Sequence, residues 1–307
     1  MKSAVTGGSG FLGTALVRRI GSNEVVVLDS HYRQDRAEKP RLGTSVLELN
    51  ALRLAFREVD EVYHLAGVLG TSELQFRNED AILQNVIGTV NVLEASKLEG
   101  VRRVFYPTKP NIWLNTYSIT KKAGEEFARM YAELYNMEVR ILRFQNIYGP
   151  GQRYIPVRKA VPTFIFQALH NLDIEIYGDG DQPVFLCHVA DAARNIVAYT
   201  KTDGLDAVPR ESGNNVRMSV NDLAGLIRRL TKSQSKISHQ PMRLGENPLR
   251  PVTLGSEPTA ADLLGLTDVT TPIEEGMAET VDYYAHLPTA EHEAWLDFHY
   301  RHAHERP

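Results

Sequence analysis

Tyr117 and Lys121 stand four positions apart in Tyr117-Ser118-Ile119-Thr120-Lys121, a spacing that sets a phenol and an ammonium on one face of a helix. A free tyrosine titrates near about 10. A neighbouring ammonium favours the phenolate, so the pair has the composition of a base that takes a proton from an alcohol near neutral pH. The same pattern also describes a half-buried tyrosine beside a solvated lysine. Its place decides between the two, because it follows the fifth strand of a domain that opens on a glycine loop.

That loop is Gly7-Gly8-Ser9-Gly10-Phe11-Leu12-Gly13, spaced G-x-x-G-x-x-G rather than G-x-G-x-x-G. A strand at Lys2–Thr6 precedes it and a helix at Phe11–Ile20 follows. Backbone without Cβ atoms lets a pyrophosphate approach, and the helix N-terminus supplies N–H groups and a positive dipole. The next strand, Val25–Leu28, ends in Asp29, with Ser30 behind it. A carboxylate there accepts the ribose hydroxyls of NAD and repels the 2′-phosphate of NADP. Arg33 and Arg36 pull the other way, since an arginine accommodates that phosphate. A plain tight turn is the alternative for a lone glycine motif. The strand–loop–helix–strand–acid order favours a dinucleotide, and NAD over NADP. A bound, positively charged nicotinamide adds to the pull on the Tyr117 phenol.

Elements must alternate to carry these groups, and they do. After Val25–Leu28, a continuous β-branched run suited to a strand buried on both faces, come strand Val62–Leu65, helix Ala81–Leu98, strand Val104–Tyr106, helix Tyr117–Tyr135 and strand Val139–Phe144. This order predicts βαβ units in an α/β, Rossmann-type, doubly wound parallel sheet. Beyond Tyr148 the texture changes: Gly149-Pro150-Gly151 breaks the chain and Pro156 and Pro162 follow. Helix Thr163–Asn171, strand Ile174–Tyr177, helix Val189–Thr200 and helix Val220–Leu230, opened by a Ser219/Asp222 capping box, predict a smaller mixed α/β domain. The expected division is a nucleotide-binding domain over 1–148, to which some later segments return, a substrate domain over 149–284, and a His-rich tail over 285–307.

Composition narrows the function classes. The chain has 307 residues, 34 Lys+Arg against 38 Asp+Glu and a hydrophobic fraction of 43%, ordinary for one large or two intimate globular domains. Mild acidity argues against a nucleic-acid partner. One cysteine, Cys187, rules out an intrachain disulfide framework and a multi-cysteine zinc site. His286, His292, His299, His302 and His304 fit no compact ligand set, so no metal is expected and the end of the chain reads as a solvated helix. No run of about 18 apolar residues marks a membrane span. A strand starting at Lys2 leaves no room for a leader, as expected of a cytoplasmic protein.

With these segments in order, the chain resembles the extended short-chain dehydrogenases/reductases, the NAD-dependent epimerase/dehydratase family that acts on nucleotide sugars. Val62-Tyr63-His64-Leu65-Ala66-Gly67, Asn85-Val86-Ile87-Gly88-Thr89, Asn146-Ile147-Tyr148-Gly149-Pro150-Gly151, Ile176-Tyr177-Gly178-Asp179-Gly180 and Pro272-Ile273-Glu274-Glu275-Gly276-Met277 carry the resemblance to about Tyr284. It implies NAD as cofactor, held by Gly7, Gly10, Phe11, Leu12, Gly13, Asp29, Ser30, Leu65, Ala66, Gly67 and Asn85, with Glu48 and Leu49 near the adenine. It implies Tyr117 as base, Lys121 on the ribose, Thr108 orienting the substrate hydroxyl, and Val68, Asn146, Arg153 and Arg250 toward a sugar diphosphate. Thr108 also reads as a strand-end hydroxyl bonded to backbone, Asn146 as a turn residue and Arg250 as a solvated arginine.

Three departures from the family pattern matter. The segment Tyr106-Pro107-Thr108-Lys109-Pro110-Asn111-Ile112-Trp113 brings Tyr117 only nine positions after Thr108, so the loop that walls the sugar pocket is largely missing, and Lys109 takes the place of the second Ser/Thr. Dehydratases carry an acid pair after that Thr and decarboxylases a Glu; Lys109 and Pro110 stand here instead. Val184 replaces an arginine that binds the diphosphate, which leaves Arg250, Arg153 and Arg158 as the cations to compensate.

An epimerase needs only NAD, the tyrosine and the Ser/Thr. The reading is therefore a nucleotide-sugar 4-epimerase acting by transient C4 oxidation on a UDP-hexose or UDP-hexuronate. An unusual dehydratase or oxidoreductase is the alternative, and a non-catalytic NAD-binding scaffold a second. Cys187-His188, whose types some C3/C5 epimerases use, reads as a buried strand pair. Helices Ala81–Leu98 and Tyr117–Tyr135 resemble those of the family's dimer interface, so a homodimer is expected.

Overall fold

The computed structural model describes residues 1–21, 25–30, 41–110, 113–246 and 258–301; Arg33, Arg36 and Arg250 lie outside them. The first half runs β1 (Ser3–Thr6), α1 (Phe11–Ile20), β2 (Val25–Leu28), β3 (Arg41–Leu42), α2 (Leu49–Phe56), β4 (Glu61–His64), α3 (Asn78–Ile82), a π-helical turn (Leu83–Ile87), α4 (Gly88–Leu98), β5 (Arg103–Thr108), α5 (Thr116–Tyr135) and β6 (Glu138–Arg143). With β10 (Arg210–Glu211) these strands form a seven-stranded sheet in the order β10-β6-β5-β4-β1-β2-β3. Every pairing in it is parallel.

Successive strand residues divide between the two faces, as a period of two requires. Ala4, Val62, Val104 and Ile141 pack with Leu52, Phe56, Val92, Leu93 and Ala128 of α2, α4 and α5. Val5, Tyr63, Phe105 and Leu142 pack with Leu16 and Val17 of α1 on the other face. The second helix on that face is α7 (Val189–Lys201), whose Ala192, Ile196 and Tyr199 join the same cluster. This corrects the expected place of the Val189–Thr200 helix in the smaller unit. Its apolar stripe, three or four residues apart, fits the open sheet face left beside α1.

The remaining strands make two small sheets: β7 (Asn146–Tyr148), β9 (Pro183–His188) and β11 (Val216–Ser219), then β8 (Ile174–Tyr177) with β12 (Ile237–Gln240). They share one core with α6 (Ala160–Leu169), α8 (Val220–Leu230) and α10 (Ile273–Ala285), built on Phe164, Phe166, Leu223, Ile227, Met277 and Tyr284. The capping box read at Ser219 and Asp222 opens α8. The His-rich end forms α11 (Thr289–Arg301), but it is docked rather than wholly solvated. Trp295 is 2% exposed and stacks on Phe166 at 5.0 Å, nearly coplanar at 8°. His170 Nε2 meets His292 Nδ1 at 3.1 Å beside it. One tryptophan on a polar helix shows no apolar period, which is why the sequence hides this contact. Among the described residues no helix is long and apolar enough to cross a membrane.

Candidate active site

The glycine loop leaves the C-terminal end of β1, where ligands of open α/β sheets bind. Gly7 has φ 69°, and a Cβ on it would lie 2.7 Å from the Ala66 nitrogen. A Cβ on Gly13 would run into the Gly7 carbonyl oxygen, so the loop closes onto α1 only with glycine at both places. Gly10 caps α1 without a side-chain hydrogen bond; no cap side chain therefore competes with a phosphate for the N–H groups of the first turn, which Phe11 and Leu12 begin. The Ser9 N–H donates to Asp29 Oδ2 at 3.0 Å, which fixes that carboxylate beside the loop, with Ser30 exposed next to it. Across the sheet edge Glu48, exposed, caps α2 and Leu49 begins it. These residues fit a dinucleotide.

The segment Leu65–Val68 leaves β4 beside the loop, and one side chain braces it. Asn85, buried in the π-helical turn, accepts from the Val68 N–H at 2.8 Å and donates to the Val68 carbonyl at 3.0 Å. Its amide also donates to Thr120 Oγ1 at 3.1 Å. Asn85 thus ties Val68 to the helix that carries Tyr117. A π-turn at such a place is common at functional sites.

Asn115 starts α5: its side chain accepts from the Ser118 N–H at 2.8 Å and donates to the Gly245 carbonyl at 3.0 Å. Tyr117 and Lys121 follow on this helix, both half-buried. Burial pushes the Tyr117 phenol up to about 12 and the Lys121 ammonium down to about 7. Lys121 Nζ sits 4.2 Å from the centre of the Tyr106 ring. With these residues alone the phenol stays protonated, so the lowering expected from the Tyr/Lys spacing needs a further positive charge at the phenol oxygen. An oxidised nicotinamide carries such a charge.

Thr108, buried, donates to the Lys121 carbonyl at 3.4 Å, and the Tyr106 hydroxyl donates to the same oxygen at 3.2 Å. The Thr108 hydroxyl therefore ties β5 to α5, the backbone-bonded alternative read from the sequence. Its neighbour Lys109 lies over Tyr117: Nζ is 5.4 Å from the centre of the Tyr117 ring and 4.9 Å from that of Trp113. Pro110 follows it on the strand's exit.

The substrate candidates are more scattered. Asn146, exposed, begins β7. Arg153 is exposed, and Arg158 donates from Nη1 to the Tyr177 hydroxyl at 2.8 Å. Val184 packs against the smaller core. Sequence reasoning passed over Lys159, half-buried at the start of α6, and Arg243, whose guanidinium lies 5.2 Å from the Tyr177 ring centre and pairs with Glu246. Only their convergence in space marks them. Cys187 is fully buried and its thiol pushed up to about 12, the state of an inert core thiol.

Comparison with known proteins gives the same frame. UDP-N-acetyl-alpha-D-glucosaminuronate decarboxylase of Bacillus cytotoxicus is 28% identical over 267 residues, 77% of this chain and 82% of the relative. The structure of MoeE5 in complex with UDP-glucose and NAD superimposes with a TM-score of 0.82 at 27% identity, covering 92% of this chain and 98% of MoeE5. The UDP-glucose 4-epimerase of Thermotoga maritima, at 23% identity, shares the fold with a TM-score of 0.83 over 92% of this chain and 98% of that one. Residues 3–208 match the family described as NAD dependent epimerase/dehydratase. Together with the fold, this match over two thirds of the sequence shows that the chain belongs to the NAD dependent epimerase/dehydratase family, and NAD is its coenzyme.

Proposed function

We propose that this protein is a nucleotide-sugar 4-epimerase. The observation that carries the reading is the charge set against Tyr117. Lys109 Nζ lies over its ring at 5.4 Å, and Lys109 and Pro110 stand in the sequence where the family pattern of dehydratases and decarboxylases has an acid. C4 inversion needs no acid there; it needs a base at one hydroxyl and room for a ketone to turn.

NAD, when bound, accepts and returns a hydride at the sugar carbon. The chain's own residues do the rest. Gly7, Gly10 and Gly13 admit the pyrophosphate and Asp29 takes the adenosine ribose. Lys121, whose ammonium lies over the Tyr106 ring, binds the nicotinamide ribose through its N–H donors. Tyr117 takes the 4-hydroxyl proton and later returns it, which is general base and then general acid work at one oxygen. Thr108 holds α5 at the distance that this requires. Asn146 and Arg153 serve the nucleotide diphosphate. The exposed Ile87, Leu98 and Leu134 on α4, α5 and the π-turn before α4 serve pairing of two copies.

The test is incubation of the NAD-loaded protein with UDP-glucose and UDP-glucuronate, followed by proton NMR. Inversion at C4 supports the reading; release of carbon dioxide from UDP-glucuronate supports instead the decarboxylase chemistry named for the relative from Bacillus cytotoxicus.

A further inference from the structure

We propose that Lys109 and Lys159 form a carboxylate-selecting site, so that the sugar turned over at Tyr117 carries a negative charge on its ring substituent. This rests on the nucleotide-sugar reading above and names the class of sugar. Lys109 Nζ is held 4.9 Å from the Trp113 ring centre and 5.4 Å from that of Tyr117, which places it at the level of the reacting sugar and not of the adenosine. Neither the Lys109 nor the Lys159 ammonium forms a hydrogen bond or an ion pair among the described residues, although both side chains are half-buried.

Two ammonium groups taken partly out of water and close enough to repel each other are costly unless an anion joins them. The charged groups acting on them are Arg243, Glu73 and Glu246. Glu246 is already paired with Arg243; Glu73 Oε1 accepts the Arg158 backbone N–H at 3.1 Å, while its buried Oε2 has no hydrogen-bond partner among the described residues. Lys109, Lys159 and Arg243 therefore face two carboxylates, and one positive charge is left over, which one carboxylate group neutralises. Burial first and then repulsion from Lys159 push Lys109 down to about 8; burial first, with Arg243 adding repulsion, does the same to Lys159. Both remain protonated at neutral pH and gain from a partner.

The diphosphate of the same substrate is the other anion that two lysines would accept, so the test separates the two sources. Binding is measured calorimetrically on NAD-loaded protein in a Tyr117→Phe background, where the ring under Lys109 is kept and turnover is stopped. The ligands are UDP-glucuronate, UDP-glucose and UDP. UDP-glucuronate is expected to bind at least about tenfold more tightly than UDP-glucose, a difference of about 1.4 kcal/mol. Adding Lys109→Gln is expected to bring that ratio toward one while UDP affinity holds; Lys109→Arg is expected to keep the ratio, which guards against a fold defect. A ratio near one before Lys109 is changed overturns the proposal, as does equal loss of UDP and UDP-glucuronate in Lys109→Gln, which would assign the lysines to the diphosphate. Inversion of UDP-glucose without preference for the charged sugar would leave the epimerase reading standing and sink this one alone; absence of binding by all three ligands overturns both.

Discussion

His64 Nε2 lies 3.0 Å from Thr89 Oγ1, and only the imidazole can donate across that gap. The single hydroxyl proton of Thr89 goes to the Asn85 carbonyl at 2.7 Å, so the ring carries its proton on Nε2. Nδ1 must then accept, which it does from Thr6 Oγ1 at 2.8 Å, and Thr6 in turn accepts from the Ala66 N–H at 3.3 Å. One directional chain of hydrogen bonds runs from the strand exit beside the glycine loop to the π-turn, with a neutral histidine as its middle link. Thr6, His64 and Thr89 are buried, where an unpaired polar group is costly.

Acid should therefore unfold this protein through its histidines. Burial, with Lys121 adding repulsion, holds His64 down to about 3 from an ordinary 6.5; burial also lowers His170 and His188. The unfolded chain binds these protons and the folded one refuses them. The His64 contribution is fully present above about 6.5 and is lost as pH falls from there toward about 3, by up to about 1.4 kcal/mol per pH unit; His170 and His188 act in the same direction. Urea midpoints measured from pH 7.5 down to 4.5 check this, and His64→Gln is expected to flatten the slope. A midpoint independent of pH across that range would contradict it.

Tyr117→Phe removes the phenol oxygen and nothing that holds the fold. Turnover on a nucleotide sugar is expected to fall by at least about a hundredfold, the usual scale for a positioned acid–base group, with an unchanged melting midpoint. Persisting turnover would point to a different base.

Asn85→Ala deletes the bonds to Val68 and Thr120 together. At about 1 kcal/mol each, the expected loss is about 2–3 kcal/mol, read as a lower denaturation midpoint. The apparent Kd for NAD should rise in the same variant, because Leu65–Val68 loses its brace. The apolar replacement Asn85→Leu should cost as much, since the Val68 N–H stays unpaired.

Gly13→Ala adds a methyl that collides with the Gly7 carbonyl. Coenzyme affinity, followed by fluorescence of bound NADH, is expected to drop at least about tenfold, because the loop must open to relieve the contact and every 1.4 kcal/mol of strain is about one decade.

Phe127 and Met130, with Ala123 and the stem of Glu126, line a shallow apolar depression on α5. Met130→Glu sets a charge there. If two copies pair through this face, light scattering should show a dimer that becomes a monomer in the variant, while a monomeric parent would count against pairing.

Local signals were the legible ones. The turn at Gly7 to Gly13 and the Ser219/Asp222 cap act within a few residues of where they are written, so spacing alone reads them. Thr108 was ambiguous because its partner, the Lys121 carbonyl, belongs to another element. Lys109 and Lys159 are fifty positions apart, and nothing along the chain announces that they share an electrostatic field. Trp295 and the Ala192/Ile196/Tyr199 stripe carry the right composition for burial, but which surface receives them depends on how the helices stack.

The π-turn at Leu83–Ile87 has an evolutionary corollary. Each residue of an α-helix advances its face by about 100°, and a π-turn absorbs one residue beyond the α count. Deleting any one of those positions would restore a regular helix and swing everything on one side of the cut around the axis. Asn85 would lose either Val68 or Thr89, whichever half moved. Length variation in this protein should therefore collect in its surface connections and spare this stretch.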